Sequence, residues 1–394
     1  MIKKTTIKAA VWNDRRDVGF VLRTLARAFF IVFLTPIPVL AATAQLGDTV
    51  VSVNGYAKLD VIYDLDSPLG NSISHQNIRL DDEEGADGHF DAHAFESRLG
   101  ITTNTPTDKG NLTTRIEGDF YGAGGTFRLR HGYGSWNGIL AGQTWSNFST
   151  FLAYTPSIDF TGLVGQTNID RQTQLRYTRG GLSFSLEDPG TLGGQPFENT
   201  PSTEVKNSVP DASVRYEGSA DRLAYSTALV LRQLDVHSDI TTQVETELGY
   251  GVALSASVSL SQSVTLRGAV VYGDGIGGYL WLNPAPPAYY DPTNNELNTI
   301  ASFGGVLGLT VGLGPGNFNV SYGMAKADWD GANLNASVPE TDRVEENRSF
   351  YINYIWSPVE KIDYGVELSN HYRSLDNDVS GDATRLQAMV KYNF

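Results

Sequence analysis

The sequence contains no cysteine, which excludes a disulfide framework, a zinc–thiolate centre and a cysteine nucleophile. Basic residues are scarce, 29 Lys and Arg against 44 Asp and Glu. Nucleic-acid phosphates need a basic surface, so that class of partner is excluded too. Beyond the N-terminus no segment approaches the ~20 apolar residues of a transmembrane helix, and helical periodicity is hard to find. None of this excludes a membrane barrel. Its strands alternate lipid-facing and lumen-facing residues, so its apolar signal averages out along the chain.

What the chain does have begins with a leader. Seven basic residues (Lys3, Lys4, Lys8, Arg15, Arg16, Arg23, Arg27) precede an apolar stretch from Ala28 to Ala42, followed by the small-residue pattern Ala42-Thr43-Ala44. The stretch is too short, and too interrupted by Pro36 and Pro38, to span a bilayer. It reads as a secretory signal, residues 1–44, removed to leave 45–394. Removing its seven basic and two acidic side chains moves the formal net charge from −15 to −20.

Period-two alternation recurs through the remainder. Leu112, Thr114, Ile116, Gly118 and Phe120 alternate with Thr113, Arg115, Glu117, Asp119 and Tyr121. Phe127, Leu129, His131 and Tyr133 alternate with Arg128, Arg130 and Gly132. Sixteen segments follow: 53–64, 92–103, 111–122, 125–136, 138–145, 171–179, 181–188, 209–217, 222–234, 245–260, 262–273, 299–313, 316–330, 347–357, 360–374 and 382–394. Long connections (65–91, 146–170, 189–208, 235–244, 274–298, 331–346) follow odd-numbered segments. Tight ones, such as Asn137-Gly138 and Pro358-Val359, follow even-numbered segments. This asymmetry predicts an all-β, antiparallel transmembrane barrel of about sixteen strands with short periplasmic turns and long outer loops. Trp136, Trp145, Tyr177, Trp329, Trp356, Tyr392 and Phe394 suit interfacial aromatic girdles. Such a chain resides in the bacterial outer membrane, in contact with its lipid and lipopolysaccharide.

Four stretches carry a family likeness: Thr114–Gly122 (TRIEGDFYG), Arg128–Trp136 (RLRHGYGSW), Leu140–Phe148 (LAGQTWSNF) and Arg171–Thr178 (RQTQLRYT). With Gly55–Asp64 (GYAKLDVIYD) and the terminal Tyr392-Asn393-Phe394, the chain resembles the DcaP-like trimeric porins. The likeness covers both ends and the first half, and is weak between about 190 and 340. It implies homotrimers of sixteen-stranded subunits and passive uptake of small anions, dicarboxylates in particular. Some relatives carry a helical, coiled-coil-like segment before the barrel. Here only Gln45 to Ser52 separates the expected cleavage point from the first strand.

If 122–125 is a tight turn, residues whose numbers sum to about 247 face each other, Asp119 with Arg128 and Glu117 with Arg130. Arg98 and Arg115 continue that inner surface, and Arg176, Arg215, Arg232, Arg267 and Arg385 share its parity elsewhere. Guanidinium edges that project into the lumen would draw carboxylates; arginines neutralised by their neighbours would only stiffen the wall. Both readings stand on sequence alone. The 146–170 connection, with Asp159, is the candidate inward-folding constriction, the alternative being an outward loop in which Asp159 is merely solvated.

Other signals point elsewhere less well. Asp81-Asp82-Glu83-Glu84 with Asp87, His89, Asp91 and His93 lacks the spacing of a calcium loop and reads as a solvated acidic segment. Gly273 to Gly278 fits GxGxxG but precedes a proline-rich loop, not a helix. No GxSxG and no metal or cofactor motif is present, so no enzyme is expected. The rivals are a sugar-selective porin, which needs inward aromatics where only Tyr56 and Tyr121 can be placed, a plugged surface barrel (an adhesin), and an outer-membrane hydrolase.

Overall fold

Alternation along the chain becomes sixteen antiparallel barrel strands in the computed structural model, which describes residues 42–190, 196, 203–238, 243–291, 294–330 and 343–394. The strands are β1 (Thr49–Asp64), β2 (Arg98–Thr107), β3 (Gly110–Gly122), β4 (Thr126–Trp136), β5 (Ile139–Trp145), β6 (Arg171–Arg179), β7 (Leu182–Glu187) and β8 (Asp211–Ala220). They continue as β9 (Leu223–Ser238), β10 (Gln243–Ser259), β11 (Val264–Asp274), β12 (Ala301–Leu313), β13 (Gly316–Asp328), β14 (Val344–Val359), β15 (Ile362–Leu375) and β16 (Ser380–Asn393). Each pairs with its sequence neighbours. The sheet closes because β1 pairs with β2 on one side and β16 on the other, from Tyr56↔Asn393 to Asp64↔Arg385. Closure matters physically, since hydrocarbon offers no partner to an open strand edge.

The expected segment 92–103 divides. His89–His93 pairs with the upper half of β1, while β2 starts at Arg98 and pairs with the lower half. A short strand, Ala42–Leu46, pairs with Thr49–Val53. The expected leader lies outside the described residues except for Ala42–Ala44, so its cleavage point falls within this short strand. Parts of the connections expected at 189–208, 235–244 and 331–346 also lie outside the described residues. At the opposite end the turns are tight. Asn137 (φ 50°) and Gly138 (φ 83°) both take positive φ, the requirement of a two-residue hairpin whose twist matches its strands.

Outward positions are apolar over most of the circumference. Tyr354, Trp356 and Tyr364 form an aromatic run near the turns, and Tyr250 and Tyr272 pair near the outer ends. Two of the expected girdle aromatics are placed differently. Trp145 turns inward against His131 and Phe151 (4.4 and 4.7 Å). Trp329 is buried among loop residues, its Nε1 donating to the Val344 carbonyl at 2.8 Å.

The barrel interior is occupied. Phe148 and Val164 of the loop 146–170, with Ile276, Tyr279 and Leu280 of the loop 275–300, pack on Ala228, Val230, Ala253, Val271 and Ala325 of the wall. Small wall residues make this approach possible. A Cβ on Gly323 would overlap the Val164 carbonyl oxygen, and one on Gly165 (φ 86°) the Met324 carbonyl oxygen. Gly323→Val is therefore expected to push the 146–170 loop off the wall while the barrel persists. The overpacking destabilises by about 1–3 kcal/mol, read as a lower urea midpoint with unchanged heat-modifiable gel migration.

Candidate functional site

The wall made by β2, β3 and β4 concentrates opposed charges. Asp119 sits between Arg98 and Arg128 in the ladder. Arg128 grips it with Nε on Oδ1 (2.7 Å) and Nη2 on Oδ2 (3.3 Å), and Arg130 Nη1 reaches Oδ2 at 2.7 Å. Arg130 Nε also donates to Glu117 Oε1 at 3.3 Å. Glu117 is bound in addition by Arg115, and Arg98 Nε lies 3.6 Å from it. Four guanidiniums thus share two carboxylates, and the wall carries a surplus of two positive charges.

The register expected from a tight turn holds at Asp119 and Arg128 but not at Glu117, whose ladder partner is His131. A bulge between Glu117 and Gly118 places two residues of β4, Arg130 and His131, on the inner face. An extra residue reverses the facing of everything beyond it. Tyr133 accordingly pairs with inward Arg115 instead of following Phe127 outward. His131 is 1% exposed, its Nδ1 3.0 Å from Thr144 Oγ1.

The adjoining wall belongs to β1, β15 and β16. Arg385 binds Asp64 through Nε (2.7 Å) and Nη2 (2.9 Å), and Asp159 through Nη1 (2.9 Å). Asp159, a loop carboxylate, is 2% exposed and also accepts the Ile73 and Thr161 N–H groups. Glu367 accepts the N–H groups of Ile158 (2.9 Å) and Asp159 (3.0 Å). Lys58 donates to the Ile158 carbonyl at 2.8 Å and pairs with Asp60 and Glu96. Glu367 and Lys58 were missed from sequence, although their inward parity on β15 and β1 was readable. Nothing local announced that a distant loop would reach them.

Between this continuous wall and the inward loops lies a cavity of about 670 Å³, with Arg98, Arg128, Arg130 and Arg171 on its surface. Arg128 (37% exposed) and Arg98 (21%) present their side chains most openly. Arg98 Nε and Arg171 Nε lack a hydrogen-bond partner among the described residues. Glu96, Asp159 and Asp170 share that surface, and Tyr56, Trp145, Phe151, Tyr154, Phe160 and Trp281 are its aromatic lining, which corrects the count of inward aromatics upward. Tyr121 stacks on Phe160 at 4.5 Å.

The remaining arginines of inward parity hold loops or wall. Arg176 donates to Gln174 (2.8 Å) and to the Trp145 carbonyl (2.5 Å), away from the cavity. Arg215 donates to the Ser149 carbonyl, Arg232 pairs with Asp211, and Arg267 donates to Thr310. In the acidic loop, His93 stacks on Phe95 at 5.0 Å, and no cluster of three or more His, Asp or Glu suited to a metal occurs among the described residues.

Removing one member of a buried ion pair strands its partners. Asp119→Asn is expected to lower the unfolding free energy by about 3 kcal/mol, measured by urea titration in detergent. A change within error would mean that the ladder does not stiffen the wall.

The comparisons agree with this geometry. No curated relative matches the chain. Among solved structures, the outer membrane channel DcaP of Acinetobacter baumannii is similar with a TM-score of 0.77 and 26% identity, covering 90% of this chain and 100% of that one. An anion-selective porin from Comamonas acidovorans (TM-score 0.55, 13% identity, 88% and 100% covered) shares the fold. So does the trimer form of OmpT from Vibrio cholerae (0.54, 11%, 88% and 99%). The model of the DcaP outer membrane protein family matches residues 41–394. A closed sixteen-stranded barrel with loops packed inside it and matched over almost its whole length by that model has one assignment: the chain belongs to the DcaP outer membrane protein family, and its place is the bacterial outer membrane.

Proposed function

We propose that this outer-membrane porin is a homotrimeric diffusion channel favouring small anions, dicarboxylates among them, after export by the 1–44 leader. No cofactor and no catalytic step enter the mechanism. Solutes move down their gradient through a lumen narrowed by the loop 146–170 and lined by charge. The observation that carries the reading is the surplus of guanidinium on the β2–β4 wall, where Glu117 and Asp119 are shared among Arg98, Arg115, Arg128 and Arg130. Carboxylates on the adjoining wall are occupied by Lys58, Arg385 and loop N–H groups. They repel a passing anion less than their number implies. The aromatic lining favours one second reading, a sugar-selective pore. Block of the current by oligosaccharides, with no effect of dicarboxylates, would support that reading.

The outer surface supports the trimer. β5 and β7 have only 7 and 6 residues, against 13 to 17 in β3, β9, β10, β12, β13 and β14. A tilted strand needs ~9–11 residues to cross the hydrocarbon core, so this low wall fits a neighbouring subunit better than lipid. Leu175 and Leu186 are exposed on its outer face.

Two experiments test these points. In a planar bilayer under a salt gradient, the refolded protein should give current steps in threes and an anion-biased reversal potential. Arg98→Gln with Arg128→Gln removes the two surplus charges and should bring that potential to near zero; an unshifted potential sinks the anion assignment. Leu175→Arg should yield folded monomers, whereas Leu307→Arg on the tall wall should not. Trimers surviving Leu175→Arg would place the contact elsewhere.

A further inference from the structure

The loop 65–97 enters the barrel beside the cavity, and its single turn, His75–Asn77, rests on the inner wall of β14 and β15. His75 is 4% exposed, and its ring meets that of His371 edge-on, with centroids 5.3 Å apart. His371 is wholly buried, with Tyr351 of β14 at 5.2 Å. His75 Nε2 lies 3.0 Å from the Arg348 carbonyl oxygen. Its Nδ1, and both ring nitrogens of His371, have no hydrogen-bond partner among the described residues.

A neutral imidazole survives in such a place at modest cost. An imidazolium carries two N–H donors and a full charge, and burying it without an acceptor is far less favourable. The charged neighbours do not help. Arg373 of β15 and Asp159 of the loop 146–170 face His75, while Arg385 of β16 and His75 itself face His371. Asp159 is already bound to Arg385. Glu367, farther along β15, is engaged by the Ile158 and Asp159 N–H groups and by Asn353.

We infer that His75 and His371 form a proton-sensitive latch on the pore: neutral, they seat the turn of the 65–97 loop against the wall, and protonated, they drive it into the cavity. The inference rests on the porin reading. Ser74 and Gln76, which flank His75, already line the cavity, so a turn displaced from the wall enters that space and narrows it. The loop 146–170 is held to the wall separately, by the Asp159–Arg385 ion pair and by the Ile158 and Asp159 N–H groups on Glu367.

Burial pushes His75 down from about 6.5 to about 4, so the seated loop binds fewer protons than the released one. Seating is therefore fully favoured above about pH 6.5 and weakens up to tenfold per pH unit as pH falls towards 4.

Single-channel conductance of the refolded protein, measured at pH 7.5 and at pH 4.5, tests the latch. The expected result is a reversible fall of at least twofold at pH 4.5. His371→Phe retains the ring without the proton site and should abolish the fall. His75→Gln retains a donor for the Arg348 carbonyl and should do the same, which covers a Phe variant that does not fold. A conductance indifferent to pH overturns the latch, and so does a fall that persists in the His variants, which would assign it to carboxylates. A folded protein silent at pH 7.5 overturns the porin reading itself, and the latch with it.

Discussion

Hydrocarbon cannot accept or donate a hydrogen bond, and the architecture follows from that restriction. Each strand must find partners on both sides, so β1 has to meet β16 as well as β2. Once the sheet is closed, its two faces are in different solvents. The outer face is filled with Leu, Val and Tyr, whereas Lys58, Asp60, Asp64, Arg385 and Gln387 face inward on β1 and β16. A polar interior is thus a consequence of closure before it is a device for transport.

That interior is then divided by two kinds of contact. On the β9–β13 side, loops pack by shape, Ile276, Tyr279, Leu280 and Val164 lying against alanine, valine and glycine of the wall. On the β1, β15 and β16 side they are held by charge, through Arg385, Lys58 and Glu367. The 670 Å³ cavity lies between the Arg-rich β2–β4 wall and the loops held by these contacts. Its surface brings Arg98, Arg128, Arg130 and Arg171 together with Glu96, Asp159 and Asp170.

Much of this was legible. The strand number, the alternation of long loops and tight turns, and the Asn137-Gly138 hairpin all follow from residue patterns that act over a few positions. The Asp119–Arg128 pair was also readable, because a short turn fixes register. Two positions beyond it the reading failed at Glu117, where the bulge substitutes His131 for Arg130 as ladder partner. No composition signal marks that bulge. Trp145 was assigned to a girdle for the same kind of reason: strand-end aromatics look alike whether they turn to lipid or to the lumen.

The sequence by itself determined the barrel and its facing, because alternation is enforced locally by the pleat and sorted by two solvents. Only the tertiary structure decided what the charges do. Arg385 and Asp159 are 226 positions apart, and Asp159 and Glu367 are 208 apart. Such partners meet only after the sheet has closed and the loops have folded into it. Whether an inward arginine is a free cation or one half of an ion pair depends on that meeting, which no spacing within a strand encodes.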